Sequence, residues 1–194
     1  MRCCSILKMP WLTNGRKLPV RWLPIMRGKP DGIILPKTYS AAEVNRLGDF
    51  LSALEAREGI EQGATKILCV ATETASSLVT FESYIRDVTD RLVGLTWGGE
   101  DLAAALGASD NRHPVTGDYD EPYLLARTFT LATARAIDVQ PVGSVFVDFR
   151  NLEGLEKECL RDRRMGYIGK IAIHPAQVPV INRAFSPSEE EIAY

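Results

Sequence analysis

The sequence predicts an α/β protein in which parallel β-strands alternate with α-helices. Short apolar runs, typical of strands buried on both faces, recur along the chain. Each run is followed by a segment with the apolar spacing of an amphipathic helix. Five such pairs follow one another from Pro30 onward, and this alternation is typical of parallel βα units. A chain of 194 residues is long enough for one domain with a sizeable core.

The first predicted unit has a clear start signal for its helix. Residues 32–36 form the apolar strand, and residues 40–58 form the helix. Ser40 is a favourable N-cap and Glu43 stands three residues later, as in a capping box. The apolar stripe of this helix consists of Val44, Leu47, Leu51 and Leu54.

The second and third units repeat the pattern. Residues 67–71 form the second strand, and the helix after it carries on one face Leu78, Phe81, Ile85 and Val88. The third unit consists of a strand at 92–96, a short helix at 101–106 and a polar, turn-rich loop at 107–119.

The fourth and fifth units complete the alternation. A helix at 121–137 has on one face Leu125, Phe129, Ala132 and Ala136. The remaining elements are a strand at 144–147, a helix at 152–165, a strand at 168–173 and a helix at 175–184. A proline opens the last helix, at a position that tolerates it.

Two architectures fit five parallel βα units: a doubly wound open sheet and a (β/α)8 barrel. A dinucleotide-binding doubly wound sheet has a glycine-rich turn after its first strand, and residues 35–38 contain no glycine. A barrel needs eight strands and about 250 residues. The sequence therefore looks about three units short of a closed barrel.

Composition and cysteine usage restrict the classes of partner and compartment. The formal net charge of −2 gives no electrostatic reason to expect nucleic acid or an anionic membrane. No apolar run is long enough to span a bilayer, and the interrupted N-terminus lacks the apolar stretch of a signal peptide. Cys3, Cys4, Cys69 and Cys159 show no metal or redox spacing, so we expect reduced thiols in the cytoplasm.

Polar side chains follow the predicted strands at the edge where parallel βα folds place their active sites. They are Lys37, Glu73, the segment 98–101, Asp148 and His174. Each also has a structural explanation. Glu73 is a favourable helix N-terminal acid, Glu100 or Asp101 caps the next helix, Lys37 borders the rim, Asp148 pairs with an arginine such as Arg150, and His174 has a packing role. His113 lies in a polar loop and is expected to be solvated.

Glu73 and Asp101 are the two acids of greatest interest. They lie one βα unit apart and so would follow adjacent strands. Two carboxylates with room for water and substrate suit a magnesium ion. Gly98 and Gly99 let a ligand approach the N–H groups that begin the following helix, which favours an anionic oxygen there.

These segments resemble the HpcH/HpaI aldolase and citrate lyase family, in its branch of citrate lyase beta-subunit-like CoA ester lyases. The resemblance covers residues 24–188. Its most specific stretch is the last of the five matching segments, which are 30–37 (PDGIILPK), 73–75 (ETA), 94–102 (GLTWGGEDL), 148–150 together with 153–155 (DFR and EGL), and 166–177 (GYIGKIAIHPAQ).

The resemblance implies a TIM-type (β/α)8 barrel, here incomplete, with about five C-terminal βα units and the first three missing. It implies Mg2+ held by Glu73 and Asp101, and a keto-acid carboxylate held by the backbone N–H groups of Gly99, Glu100 and Asp101. No residue is assigned to proton transfer. It also implies a homo-oligomer, a trimer or a hexamer, for a complete chain.

The function that the resemblance implies is Mg2+-dependent cleavage of a carbon–carbon bond in a malyl-, citramalyl- or citryl-like CoA thioester. The alternatives are an inactive barrel fragment that serves only as an interaction remnant, and a pyruvate-type aldolase that acts without CoA. The predicted organisation is an irregular, non-native lead-in at 1–29, a partial barrel lyase domain at 30–188 and the start of a truncated C-terminal segment at 189–194.

Overall fold

A computed structural model describes residues 23–187 of the chain. Within this range the strands are β1 (Gly32–Leu35), β2 (Lys66–Val70), β3 (Leu92–Thr96), β4 (Gln140–Gly143) and β5 (Gly169–Lys170). The helices are α1 (Leu23–Arg27), α2 (Ala41–Glu58), α3 (Glu82–Arg86), α4 (Gly99–Leu106), α5 (Glu121–Ala136), α6 (Leu152–Met165) and α7 (Gln177–Phe185). A short 3-10 helix, Ser76–Val79, precedes α3.

The five strands form one parallel sheet in the order β1-β2-β3-β4-β5. Every strand therefore pairs with its neighbour in the sequence, as Ile33 with Ile67 and Leu95 with Pro141 show. A doubly wound sheet reverses its strand order at a switch point, and this sheet does not. The predicted parallel α/β class is confirmed.

Helix α2 covers the first half of the sheet. Ser40 caps its N-terminus and forms the predicted capping box with Glu43. The helix ends at Gly59, whose φ of 63° is a left-handed conformation that glycine adopts at little cost. Val44, Leu47 and Leu51 are completely buried against the strands. The predicted apolar stripe is thus the one that packs on the sheet.

The segment after β2 differs from the single amphipathic helix that the sequence predicted. It is broken into the 3-10 helix and the short α3, and Ile85 from the predicted apolar face is exposed. Hydroxyl side chains explain the break. The Thr80 hydroxyl lies within hydrogen-bond distance of the carbonyl groups of Tyr39, Ser76 and Ser77 and can donate to any of them, and such local bonds compete with helical backbone pairing.

Helix α5 buries a different face from the predicted one. Leu125 and Phe129 are substantially exposed, as are the alanines predicted to share their face. The buried side chains are Tyr123, Ala126, Thr130, Thr133 and Ala134. Small residues let this helix lie close to the sheet, and the Thr130 hydroxyl is satisfied by the Ala126 carbonyl at 2.9 Å.

The last two strands were predicted at the wrong bounds. Strand β4 ends at Gly143, before the apolar run 144–147, because Gln140, Pro141 and Val142 pair with β3. Proline and glycine are rare in strands, so this segment has a weak strand signal. Strand β5 is only two residues long, although 168–173 was predicted.

The predicted lead-in, 1–29, lies mostly outside the described residues, and the segment 189–194 lies wholly outside them. The described end of the lead-in contains α1 rather than irregular chain, because Met26 is completely buried in the core beside the first strands. In the part of the chain that the structure describes, no helix has both the length and the apolar character needed to cross a lipid bilayer.

A buried ion pair fixes the amino-terminal end of the sheet. Glu55, on α2, is fully buried and accepts hydrogen bonds from the Arg91 guanidinium at 2.6 and 2.9 Å. The backbone N–H groups of Gly63 and Thr65 donate to the same carboxylate. Burial acts to raise the pKa of Glu55, but the hydrogen bonds from Arg91, Thr65 and Gly63 together lower the pKa to about 2.

We predict that Glu55→Gln lowers the free energy of unfolding by about 3–5 kcal/mol, because it leaves the Arg91 charge buried without a counter-charge. Urea unfolding followed by circular dichroism measures the change. Glu82→Gln is the matched control, since Glu82 belongs to an exposed pair with Arg86 and its loss should change stability far less. Equal losses in the two variants would contradict the assignment.

The same ion pair predicts a pH dependence. The folded pKa of Glu55, about 2, lies below the ordinary value of 4.5 that applies to the unfolded chain. The stabilisation is therefore complete above pH 4.5 and is lost as the pH falls toward 2. Unfolding free energies measured between pH 6 and pH 2 should show the difference between the wild type and Glu55→Gln shrinking over that window.

Candidate active site

Lys37 follows β1 and contacts both acids of the predicted pair. Its backbone N–H donates to Glu73 Oε2 at 2.6 Å, and its Nζ donates to Asp101 Oδ1 at 2.6 Å. Lys37 adopts a φ of 55°, an uncommon conformation for a residue with a side chain. The turn after β1 thus aims the amide and the ammonium of a single residue at the two carboxylates.

Glu73 follows β2 and is almost completely buried. Burial, the largest effect, and the neighbouring Asp101 carboxyl raise the pKa of Glu73, whereas the hydrogen bond from the Lys37 N–H lowers it, and together these effects bring the pKa to about 7. A carboxyl group in this position is unfavourable as an anion unless positive charge lies nearby. The site is therefore electrostatically prepared for a cation.

Gly98 lies between β3 and α4, where the chain passes Glu73. Its N–H donates to the buried Thr72 hydroxyl at 3.0 Å. A Cβ atom on Gly98 would lie 2.8 Å from Glu73 Cγ, closer than side chains tolerate. The absence of a side chain at this position allows the Glu73 carboxylate to sit between the two strand ends.

Asp101 lies in the first turn of α4, which begins at Gly99. Its side chain is about one third exposed, at 37%, so it faces the rim of the site rather than the core. The N–H groups in the first turn of a helix have no partner within the helix, and here they belong to Gly99, Glu100 and Asp101. The predicted anion-binding segment therefore begins a helix beside the carboxylate pair.

A buried polar cluster anchors the turn that carries Lys37. The Thr38 hydroxyl donates to the Val70 carbonyl at 3.0 Å, and it lies 3.1 Å from Cys69 Sγ and 3.2 Å from the Tyr84 hydroxyl. These three side chains are fully buried. They fix the backbone of the turn against β2, and so they hold the Lys37 N–H against Glu73.

The residues present fit a divalent cation. Glu73 and Asp101 supply carboxylate oxygens, which are hard ligands, and the Lys37 ammonium already lies beside the Asp101 carboxylate as a positive charge. Within residues 23–187 no cluster of three or more histidine, cysteine or acidic side chains is arranged for a metal. Two carboxylates match the usual coordination of Mg2+, which binds one or two protein carboxylates and has water or substrate oxygens as its other ligands.

The other predicted strand-end residues contact different partners. Asp148 accepts a hydrogen bond from the Arg150 N–H, and it follows the end of β4 by five positions because that strand ends early. The exposed His174 stacks on the Phe149 ring at 4.7 Å between centroids. His113 is exposed in its loop, as expected. The structure thus brings together Lys37, Glu73 and the segment 98–101.

Sequence reasoning missed Thr72 and Thr38, which hold the backbone around the site. Both are buried threonines next to a predicted site residue, and that position was the available signal. It also missed an aromatic support behind the glycines. The Trp97 ring packs edge-on against the Tyr119 ring, with 4.9 Å between the ring centroids. The Arg112 guanidinium lies over the same Tyr119 ring, 3.8 Å from its centroid.

The fold and the site define a class: a parallel βα protein with a carboxylate pair at the carboxyl edge of its sheet. A family model described as HpcH/HpaI aldolase/citrate lyase matches residues 17–175, most of the chain. The chain belongs to this family. The resemblance inferred from the sequence motifs is confirmed.

Two curated relatives are named lyases of CoA thioesters. The mitochondrial citramalyl-CoA lyase of Mus musculus is 31% identical over 172 residues, covering 85% of this chain and 48% of the relative. The L-malyl-CoA/beta-methylmalyl-CoA lyase of Rhodobacter capsulatus is 30% identical over 197 residues, covering 93% of this chain and 61% of the relative. The chain spans about half to three fifths of the length of these relatives.

Solved structures of the CitE protein from Mycobacterium tuberculosis are also similar. The complex with magnesium and acetoacetate has a TM-score of 0.72 and 29% identity, covering 90% of this chain and 65% of that one. The complex with magnesium, acetoacetate and coenzyme A has a TM-score of 0.69 and 30% identity, covering 89% and 58%.

We predict that Gly98→Ala displaces the Glu73 side chain and lowers the free energy of unfolding by about 1–3 kcal/mol, because the added methyl group overpacks the contact. Chemical denaturation gives the stability, and carbon-13 NMR of the glutamate carboxyl groups gives the displacement. Gly169→Ala is the control, because a Cβ atom there meets no atom within 4 Å. An unchanged Glu73 signal in Gly98→Ala would contradict the steric assignment.

Proposed function

We propose that this chain carries the metal site of a Mg2+-dependent carbon–carbon lyase. The substrate would be a 3-hydroxyacyl-CoA-type thioester, malyl-, citramalyl- or citryl-like, and the products a keto acid and an acyl thioester. The observation that carries the proposal is the pair formed by buried Glu73 and Asp101 around the Lys37 turn. The relatives named as citramalyl-CoA and malyl-CoA lyases support the substrate class.

We propose that Glu73 and Asp101 hold the Mg2+ ion. Mg2+ bound there would polarise the carbonyl group of a keto acid and stabilise negative charge on its oxygen. The Lys37 N–H fixes Glu73 Oε2, so that carboxylate keeps its orientation. The backbone N–H groups at the start of α4, those of Gly99, Glu100 and Asp101, bind the keto-acid carboxylate as a helix N-terminus binds an anion.

The strand order supports a TIM-type (β/α)8 barrel for the whole protein, to which β1–β5 contribute five successive units. In a barrel every strand pairs with its neighbours in the sequence, as these strands do. The free, buried thiols of Cys69 and Cys159 support a reducing compartment such as the cytoplasm. A trimeric or hexameric assembly remains a prediction from the family resemblance.

We predict that Glu73→Gln and Asp101→Asn each weaken Mg2+ binding by at least the roughly 10–100-fold that loss of an outer-shell partner costs, because each removes a charged ligand. Thermal unfolding with and without Mg2+ measures the effect, and the Mg2+-dependent rise in Tm should disappear. Glu153→Gln is the matched control, since Glu153 is an exposed acid on α6 paired with Lys157. A Tm rise that survives in Glu73→Gln would place the ion elsewhere.

Cleavage is tested with malyl-CoA and citramalyl-CoA in the presence of Mg2+, by following release of the keto acid. Mg2+-dependent turnover that Glu153→Gln retains and Asp101→Asn loses supports the lyase. Mg2+ binding without turnover supports the fragment that serves only as an interaction remnant. Cleavage of free keto-acid aldols that CoA does not inhibit supports the CoA-independent aldolase.

A further inference from the structure

Lys37 contacts the carboxylate pair through two groups that differ in their freedom to move. Its N–H belongs to a backbone turn, and the buried Thr38 hydroxyl fastens that turn to β2. Its ammonium lies at the end of the long lysine side chain, which is 46% exposed to solvent. The fold therefore holds the amide of Lys37 against Glu73, whereas the ammonium can leave Asp101 for water.

A divalent cation bound by the two acids needs the oxygens of Asp101. The ammonium already donates to Oδ1 of that carboxylate at 2.6 Å. Two cations at one carboxylate repel each other, and an exposed lysine–carboxylate pair contributes only about 0–1 kcal/mol. Hydration of the released ammonium therefore offsets most of the interaction energy that it loses when it leaves Asp101. The divalent ion, with its higher charge, is attracted to the two carboxylates more strongly than the ammonium is.

We infer that Lys37 is an internal counter-cation of the site, whose ammonium holds Asp101 until a divalent cation displaces it. The inference rests on the proposed function. The lysine keeps the two neighbouring carboxylates from repelling each other when no divalent ion is bound, and it weakens cation binding by competing for Asp101. After displacement the backbone N–H of the same residue still orients Glu73.

The test is calorimetric titration of the whole chain with MgCl2. Lys37→Met removes the ammonium but preserves the backbone N–H and an unbranched apolar side chain that is one atom shorter. We expect the Kd for Mg2+ to fall about two- to fivefold, which is the equilibrium equivalent of an exposed ion pair. Lys37→Arg retains a competing cation and should bind Mg2+ about as the wild type does.

Lys66→Met is the control for net charge. Lys66 is exposed at the start of β2, at the opposite end of that strand from Glu73, so its loss removes one positive charge without touching the site. A decrease in Kd for Lys37→Met that Lys66→Met does not reproduce supports local competition. Equal decreases in both variants would reduce the effect to long-range electrostatics and overturn the inference.

A spectroscopic measurement reports the displacement directly. The nitrogen-15 signal of the Lys37 ammonium, assigned by its absence in Lys37→Met, should move to the position of a solvated lysine as Mg2+ saturates the protein. A signal that stays unchanged at saturation overturns the inference and leaves the proposed function standing. Failure of wild type and Lys37→Met alike to bind Mg2+ overturns the proposed function, and the inference with it.

Discussion

Burial of the Glu73 carboxyl group at the end of β2 is the constraint on which the rest of the site depends. A carboxylate loses hydration there and must be compensated by hydrogen bonds or positive charge. The compensation comes from the turn after β1, where the Lys37 N–H lies 2.6 Å from Glu73 Oε2. Gly98, which follows β3, has no side chain that would collide with Glu73. The ends of three successive strands thus supply the hydrogen-bond donor, the acid and the space that the acid occupies.

The unusual backbone at Lys37 shows how strongly this geometry is determined. A left-handed φ costs a side-chain-bearing residue of order 1 kcal/mol and persists only where the surroundings enforce it. Thr38 enforces it by donating to the Val70 carbonyl from a fully buried position. The strained turn and the raised pKa of Glu73 occur side by side, and such conflicts with local preference are typical of functional sites.

A second network connects the glycine segment to β5, at the edge of the sheet. Lys170 on β5 is buried and bridges Glu158 and Asp162 of α6, at 2.7 and 3.0 Å. Glu158 also pairs with Arg112, and Arg112 lies over the Tyr119 ring that packs on Trp97. Because Trp97 directly precedes the two glycines, this chain of contacts links the position of β5 to the start of α4. A site built on short loops gains rigidity from such support.

The sequence by itself determined the parallel βα class and the capped helix α2, and it singled out Glu73 and Asp101 as the predicted pair of acids, because each depends on local spacing or on motifs. It could not determine that hydroxyl groups break the helix after β2, that α5 buries its small residues, or that β4 is the segment containing proline. Those outcomes depend on which surfaces meet in three dimensions. Only the tertiary structure decided that Lys37 contacts both acids, since the two contacts join residues 36 and 64 positions apart. No local pattern encodes how a backbone amide and an ammonium converge across three strands.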